Sequence, residues 1–107
     1  MGNFTHYSEH VGASAERWFK STIFQSQHML VGLDCLEPGQ AQAPHLHHGH
    51  DKCYFVVEGE AEFTVGNETR RLGPGSLAWA PADIAHSVTN LGAGRLVMLI
   101  SMAPEPR

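Results

Sequence analysis

Short segments in which apolar and polar residues alternate, separated by glycine and proline turns, make up most of this chain. Ala61, Phe63 and Val65 alternate with polar residues, and Gly66-Asn67 follows them directly. A period of two indicates a β-strand with one buried face, and glycine and asparagine tolerate the positive φ of tight hairpins. Comparable turn sequences occur at 38–39, 73–75 and 92–94. Many short strands at close, even spacing predict an all-β sandwich or barrel.

A length of 107 residues predicts one domain. Within it, we expect an N-terminal arm and edge strand over 1–25, a barrel core over 26–102 and a loose tail over 103–107. Ser14 is a candidate cap for a short helical turn through Arg17. The two cysteines, Cys35 and Cys53, form no C-x-x-C motif and lie in apolar segments, which favours free thiols that are buried or half-buried.

The formal net charge of −4 argues against nucleic acid as a partner, because such binding depends on lysine and arginine neutralising phosphates. No apolar segment approaches the roughly 18 residues that cross a membrane. The first ten residues lack the basic and then apolar pattern of a signal peptide. We therefore expect a cytoplasmic protein without membrane or nucleic-acid partners.

Histidines are concentrated in one short segment, with another far along the chain. His45, His47, His48 and His50 are crowded together, and His86 follows much later. Residues i and i+2 of a strand share a face, so His45 and His47 can both point inward. His86 would come from a separate hairpin, and we expect it to reach the same point only through closure of the sheet. Neutral imidazoles suit Fe, Mn, Ni, Cu or Zn, and the sequence does not distinguish among these divalent metals.

Two segments carry a resemblance to a known family. The segment 39–59 reads GQAQAPHLHHGHDKCYFVVEG, and it resembles the first cupin motif, in which a histidine pair precedes a glutamate and a closing glycine. The segment 75–90 reads GSLAWAPADIAHSVTN and resembles the second motif. The resemblance implies a double-stranded β-helix, or jelly roll, often dimeric, with a divalent metal on His45, His47 and His86. A histidine-rich surface loop is the alternative, but it would not explain His86 with Pro81 and Asn90 at the family spacing.

The segment departs from the family at Lys52, which stands where the glutamate ligand is expected. A protonated lysine cannot ligate a metal. Lys52 could leave the barrel and pair with an acidic residue, which is the interpretation we favour. A one-residue bulge could instead turn Asp51 or His50 inward as a fourth ligand. Lys52 could also stay inside as a base or substrate anchor.

A second departure is Asp83, where the family usually has glycine. Aspartate tolerates left-handed backbone better than most residues, so we expect the turn to survive. His48 and His50 are expected at the rim of the site. The candidates for the pocket wall are Tyr54, Phe63, Trp79 and Met98, although plain core packing is the interpretation that we favour for most of them.

The resemblance favours a metal-dependent enzyme acting on a small polar molecule. Cupins without the glutamate include thiol- and diketone-cleaving dioxygenases, so an oxidoreductase of dioxygenase type is preferred over an isomerase. The metal would serve as a Lewis acid or as the place where dioxygen meets the substrate. The alternative is a non-catalytic module that binds a small ligand or a metal. A homodimer is expected, since barrel edge strands need covering.

Overall fold

The structure, a computed structural model, describes residues 2–105 and consists of β-strands in two antiparallel sheets. Helix in this part of the chain is limited to a 3₁₀ turn at Tyr7–Glu9. The nine strands are β1 Phe19–Gln25, β2 Leu30–Leu36, β3 Ala41–His45, β4 Asp51–Glu58, β5 Ala61–Val65, β6 Glu68–Leu72, β7 Leu77–Ala80, β8 His86–Asn90 and β9 Leu96–Ala103. The prediction of an all-β jelly roll is confirmed.

The two sheets enclose a common interior. One has the strand order β1-β2-β9-β4-β7, and the other has the order β3-β8-β5-β6. The strand predicted from the alternation of Ala61, Phe63 and Val65 is confirmed, and Val65 pairs with Glu68 across the predicted Gly66-Asn67 turn. Most neighbours within the sheets are distant in sequence, because β9 lies between β2 and β4 and β8 lies between β3 and β5.

Apolar side chains pack on both faces of the five-stranded sheet. The barrel interior holds a cluster from both sheets that includes Tyr54, Val56, Phe63 and Val88, all nearly inaccessible to solvent. A smaller cluster on the outer face contains Ile23, Leu33, Cys35 and Val97, with Tyr7, Val11 and Phe19 packed against it. The N-terminal arm therefore covers the outside of the sheet, where its apolar residues leave water.

Contacts of the N-terminal arm also include a polar anchor. The Tyr7 hydroxyl donates to Glu58 Oε2 at 3.0 Å. The same carboxylate accepts two hydrogen bonds from the Arg95 guanidinium, at 3.0 and 3.1 Å. These bonds lower the pKa of Glu58, with the Arg95 hydrogen bond as the main cause. The arm is thus joined to β4 and to the loop before β9.

Two predictions for local structure differ from what is observed, and a third concerns a segment that is only partly described. The segment 15–17 after Ser14 forms a bend, not a helical turn, with the Ser14 hydroxyl accepting from the Glu16 amide at 3.4 Å. Trp79 is 56% exposed on the outer face of β7, so for this residue the core interpretation is wrong. Of the predicted tail, Ala103 still belongs to β9, and residues 106–107 lie outside the described residues.

Two turn positions require left-handed backbone. Gly59 has φ +84°, and a Cβ there would collide with the backbone carbonyl of Arg95, so only glycine fits. Asp83 has φ +66°, which confirms that aspartate takes the place of the usual glycine in this turn. Its carboxylate accepts a hydrogen bond from His48 Nδ1 at 3.0 Å.

The remaining structural expectations concern cysteines and membrane segments. Cys35 is buried and Cys53 is half-buried, and both are free thiols as predicted. Burial raises the pKa of the Cys35 thiol, so it stays protonated and behaves as a small apolar side chain. In residues 2–105 no helix has the length and apolar character needed to span a bilayer.

Candidate metal centre

His45 and His86 are direct neighbours on adjacent strands. His45 is the last residue of β3 and His86 is the first of β8, and the two are paired across the antiparallel ladder. Their ring centroids are 4.3 Å apart. Strands β3 and β8 belong to one sheet, so the expectation that His86 meets His45 only through closure of the barrel is wrong. Cross-strand register alone brings these two imidazoles together.

His47 completes a three-histidine cluster from the loop that follows β3. Its ring centroid lies 5.0 Å from that of His45 and 5.5 Å from that of His86. One ring nitrogen of each histidine lies within 4.8 Å of the others, an arrangement that could hold a metal ion. Because His47 lies beyond the end of β3, strand alternation does not orient it. The loop over 46–50 does so instead.

Hydrogen bonds to the backbone orient two of the rings and determine which nitrogen is available. His45 Nδ1 donates to the Ala43 carbonyl at 2.7 Å, and His86 Nδ1 donates to the Ile84 carbonyl at 3.1 Å. A neutral imidazole that donates from Nδ1 keeps its lone pair on Nε2. Fixing one ring nitrogen in this way is typical of metal-ligating histidines.

Two of the imidazoles have a buried nitrogen without a hydrogen bond. Nε2 of His47 and Nε2 of His86 are inaccessible to solvent and have no partner among residues 2–105. A buried polar atom left unpaired costs about 1–3 kcal/mol, which a bound cation would offset. The three residues therefore fit a divalent transition metal held by neutral imidazoles.

The environment keeps the imidazoles of His47 and His86 neutral, as ligation requires. Burial, followed by the charge of Lys52, lowers the pKa of His47 to about 4. Burial also lowers the pKa of His86, and its hydrogen bond to the Ile84 carbonyl opposes this only in part. At neutral pH both rings offer a lone pair instead of repelling a cation.

The structure does not bring Asp51 to the three histidines. The Asp51 Oδ1 atom accepts a hydrogen bond from the Ala82 amide at 2.8 Å. The bulge that would turn Asp51 inward is not found there, because the register of β4 against β9 is continuous from Asp51 to Val56. Of the other histidines, His48 is exposed, and His50 is half-buried with its Nδ1 donating to the Pro104 carbonyl at 2.8 Å. His50 is likewise not part of the cluster.

Lys52 lies inside the barrel, contrary to the interpretation that we favoured from the sequence. Its side chain is buried, and Nζ donates to Asp34 Oδ2 at 3.3 Å. The acidic partner was anticipated, but the outward orientation is wrong. Alternation along β4 places Lys52 on the same face as Tyr54 and Val56, and this face lines the interior. Lys52 therefore occupies the inward position at which the family has glutamate.

Asp34, Gln42 and Tyr54 extend this ion pair into a buried network that the sequence did not predict. Gln42 Nε2 donates to Asp34 Oδ2 at 2.8 Å, and the Tyr54 hydroxyl donates to Gln42 Oε1 at 3.2 Å. The Lys52 ammonium lies 4.5 Å from the centroid of the Tyr54 ring. A carboxylate within the apolar segment Leu33–Leu36 was the available signal, since buried charges are rarely left unpaired.

A cavity of about 430 Å³ connects the network with the histidines. Its polar lining includes Asp34, Gln42, Lys52, His45 and His47. Its apolar lining includes Trp18, Leu30, Ile100 and Met102. This volume lies in the range of small-molecule sites, and an apolar wall with a few convergent polar groups is their usual composition. None of the four wall candidates suggested by sequence, Tyr54, Phe63, Trp79 and Met98, lines this cavity.

The sequence profile of Cupin_2, the cupin domain, matches residues 32–102. This chain belongs to the cupin family. The matched range covers β2 to β9 almost completely, and it contains both histidine strands and the buried network. The resemblance drawn from the two motifs is thereby confirmed, as is the fold it implied.

Three individual proteins show how far the similarity reaches. The chain is 36% identical over 85 residues to the uncharacterized protein SCO3923 of Streptomyces coelicolor, a match covering 78% of each chain. It is 32% identical over 79 residues to the polyketide synthase CurC of Streptomyces cyaneus, which is 71% of this chain and 51% of CurC. The crystal structure of TT1209 from Thermus thermophilus superposes with a TM-score of 0.92 at 40% identity, covering 96% of this chain and 98% of that one.

Proposed function

We propose that this cupin is a metal-dependent enzyme acting on a small polar molecule, with His45, His47 and His86 as the metal ligands. The observation that carries the proposal is the pair of buried Nε2 atoms, on His47 and His86, that lack hydrogen-bond partners among the described residues. Such atoms are costly unless something binds them. The cavity beside His45 and His47 supplies the space in which a substrate would lie.

A bound divalent ion would supply Lewis acidity at this cavity, or a site for dioxygen chemistry. The residues of the chain would contribute the other requirements. His45 and His86 are kept in one tautomer by the Ala43 and Ile84 carbonyls, and the apolar walls exclude water from the substrate. Because three histidines leave coordination positions free, a substrate with two oxygens could chelate the metal.

We prefer a dioxygenase over an isomerase, because the position of the family's glutamate ligand holds Lys52. The similarity to CurC, named as a polyketide synthase, supports an enzyme of small-molecule metabolism without naming a reaction. That Asp51 is a fourth ligand stays a prediction, and the hydrogen bond that its carboxylate accepts from the Ala82 amide does not favour it.

The alternative function is a binding module that holds a metal or small ligand without turnover. It is supported by the ion pair of Lys52 with Asp34, because neither group, while paired with the other, is free to transfer a proton to or from a substrate. An enzyme should have a proton-transfer group within hydrogen-bond reach of its substrate.

Elemental analysis combined with oxygen-uptake assays tests the proposal. Protein purified without added metal should contain about one transition-metal ion per chain, and a panel of small thiols, 1,3-diketones and sugar acids should reveal metal-dependent turnover. Oxygen uptake with one of these compounds that is lost in His86→Ala would support a dioxygenase. A metal-loaded protein that binds ligands but converts none would favour the binding module. A protein that binds no transition metal would contradict the metal-dependent enzyme and would leave only a module that binds a small ligand.

A homodimer also stays part of the proposal. Leu77 and Trp79 expose 66% and 56% of their surface on β7, an edge strand of the five-stranded sheet. Large apolar side chains at an open edge are typical of a surface that a partner covers. Light scattering after size exclusion should give twice the 11.7 kDa mass of the chain, and Leu77→Lys with Trp79→Lys should shift it to one chain.

A further inference from the structure

We propose that the cavity recognises a small organic carboxylate, with the Lys52 ammonium as the group that receives the anionic oxygen. The inference deepens the proposed function by naming a class of substrate, and it rests on that function for the assumption that the bound molecule is a substrate. Lys52 departs from the family pattern, so the family's usual metal ligands do not explain the role of an ammonium group at this position.

The first support is the donor capacity of Lys52. An ammonium group has three N–H donors. Among residues 2–105, Asp34 Oδ2 accepts one of them at 3.3 Å, and the Tyr54 ring faces the same group at 4.5 Å from its centroid. Lys52 lines the cavity, so a remaining donor is available to a ligand there.

The second support is the way the network orients Lys52. Asp34 Oδ2 accepts from both Gln42 and Lys52, and Gln42 accepts in turn from Tyr54. The network joins β2 and β4 of one sheet to β3 of the other. A side chain held by so many packed neighbours loses little freedom on binding, and this preorganisation favours affinity.

The third support is the charge balance of the cavity. Its described lining residues include two lysines, Lys20 and Lys52, and one carboxylate, Asp34. Asp34 therefore does not neutralise the cavity, although the chain as a whole has a net charge of −4. Two imidazoles, His45 and His47, also line the cavity and add no negative charge. A carboxylate is the common metabolite group that matches such a site.

The dimensions and walls of the cavity restrict the rest of the ligand. A volume of about 430 Å³ accommodates a molecule with a single small ring. Trp18, Leu30, Ile100 and Met102 present apolar surface to it. A 2-hydroxy or 2-oxo acid with a short apolar body would place its acid group at Lys52 and direct its second oxygen towards the histidines.

Mandelate and mandelamide test this inference, since they share size and shape and differ in the charge of one group. Calorimetric titration is performed on the protein as purified and after treatment with a chelator. We expect mandelate to bind at least about tenfold more tightly than mandelamide in both forms, since hydrogen bonds to charged groups contribute that much. Lys52→Met should abolish the preference. Arg70→Met, which removes an exposed cation that does not line this cavity, should retain it.

A second variant separates loss of ligand recognition from loss of folding. Lys52→Met leaves the Asp34 carboxylate buried without its cation, so the double variant Lys52→Met with Asp34→Asn is measured in parallel, with near-ultraviolet circular dichroism as the check on folding. The inference is overturned if the folded double variant still prefers mandelate, or if wild-type protein binds the two compounds equally or binds neither. A Lys52-dependent preference in a protein that holds no metal would contradict the proposed function alone. Metal-dependent turnover without the preference would contradict this inference alone.

Discussion

The Nζ atom of Lys52 lies 3.3 Å from Oδ2 of Asp34, and the two side chains are only 6% and 4% exposed. Asp34 and Lys52 lie on opposite sides of β9, where they pair with Met98 and Met102. Their charges are thus buried in the interior next to the histidine cluster. A pair in this position is stable only while both members are present, because each charge alone would be uncompensated.

Removing one member of this pair should therefore destabilise the protein strongly. Lys52→Met is expected to lower the free energy of unfolding by about 3 kcal/mol, because it leaves a buried carboxylate without its cation. The double variant with Asp34→Asn should recover much of this loss, since no charge then remains. Urea denaturation of the two single variants and the double variant gives the coupling energy directly. Additive effects would show that the two groups do not interact.

Metal content should depend on the three clustered histidines and on no other histidine of the loop. Changing a residue that hydrogen-bonds to a metal ligand typically lowers the metal affinity about 10–100-fold. Loss of a ligand itself, in His47→Ala or His86→Ala, should therefore lower it more than about 100-fold. Metal titration of purified variants measures this. His48→Ala is the matched control, because His48 is exposed and bonded to Asp83.

Asp51→Asn tests the predicted fourth ligand in the same titration. Because the Asp51 carboxylate already accepts the Ala82 amide, we expect the affinity to stay within about threefold of wild type. A loss comparable to that of His86→Ala would instead establish Asp51 as a ligand.

Stability of the chelator-treated protein should fall as the pH is lowered from about 6.5 to about 4. The pKa of His47 is lowered to about 4 in the folded protein from 6.5, mainly by burial, and that of His86 is also lowered. Between these values the unfolded chain binds protons that the folded chain does not, so protonation favours unfolding. This contribution to stability is fully present above the pKa of the histidines in the unfolded chain, and it is lost as the pH falls towards their pKa in the folded protein.

Urea titrations at several pH values across this window measure the slope. His47→Gln should reduce it, whereas His48→Gln should leave it unchanged. A wild-type protein whose free energy of unfolding is constant between pH 6.5 and 4 would contradict the assignment of neutral, buried imidazoles. In the metal-loaded protein, protons also compete with the ion for the same nitrogens, so metal release is expected over this range.

Asn90 should be important for folding and not for metal binding. Its amide nitrogen donates to the carbonyls of Leu36 and Gly94, at 2.8 and 3.0 Å, and its oxygen accepts from the Gly92 amide at 2.8 Å. Asn90→Ala leaves these backbone groups unpaired and should cost about 3 kcal/mol. Thermal or urea unfolding measures the loss, with Asn3→Ala on the exposed arm as control. A metal affinity that falls along with stability at a temperature where the variant is folded would contradict this division of roles.

The strands, the turns and the identity of the clustered histidines follow from the amino-acid sequence. Alternation with a period of two is a local property, so Ala61–Val65 and its following turn were predictable. The spacing of the two motifs likewise identified His45, His47 and His86 as members of one site. The tolerance of Asp83 for left-handed backbone followed from its residue type.

How these residues meet, and what surrounds them, depends on the three-dimensional fold. The pairing of His45 with His86 depends on the register of β3 against β8, which are far apart in sequence. Lys52 is buried because the fold brings Asp34 to it from a different strand, and no local pattern encodes a partner 18 residues away. Gln42 reaches Asp34 in the same way, from a third strand and eight residues along the chain. Burial of a charge is determined by the free energy of the whole surroundings, so it cannot be deduced from the residue's own neighbours in the chain.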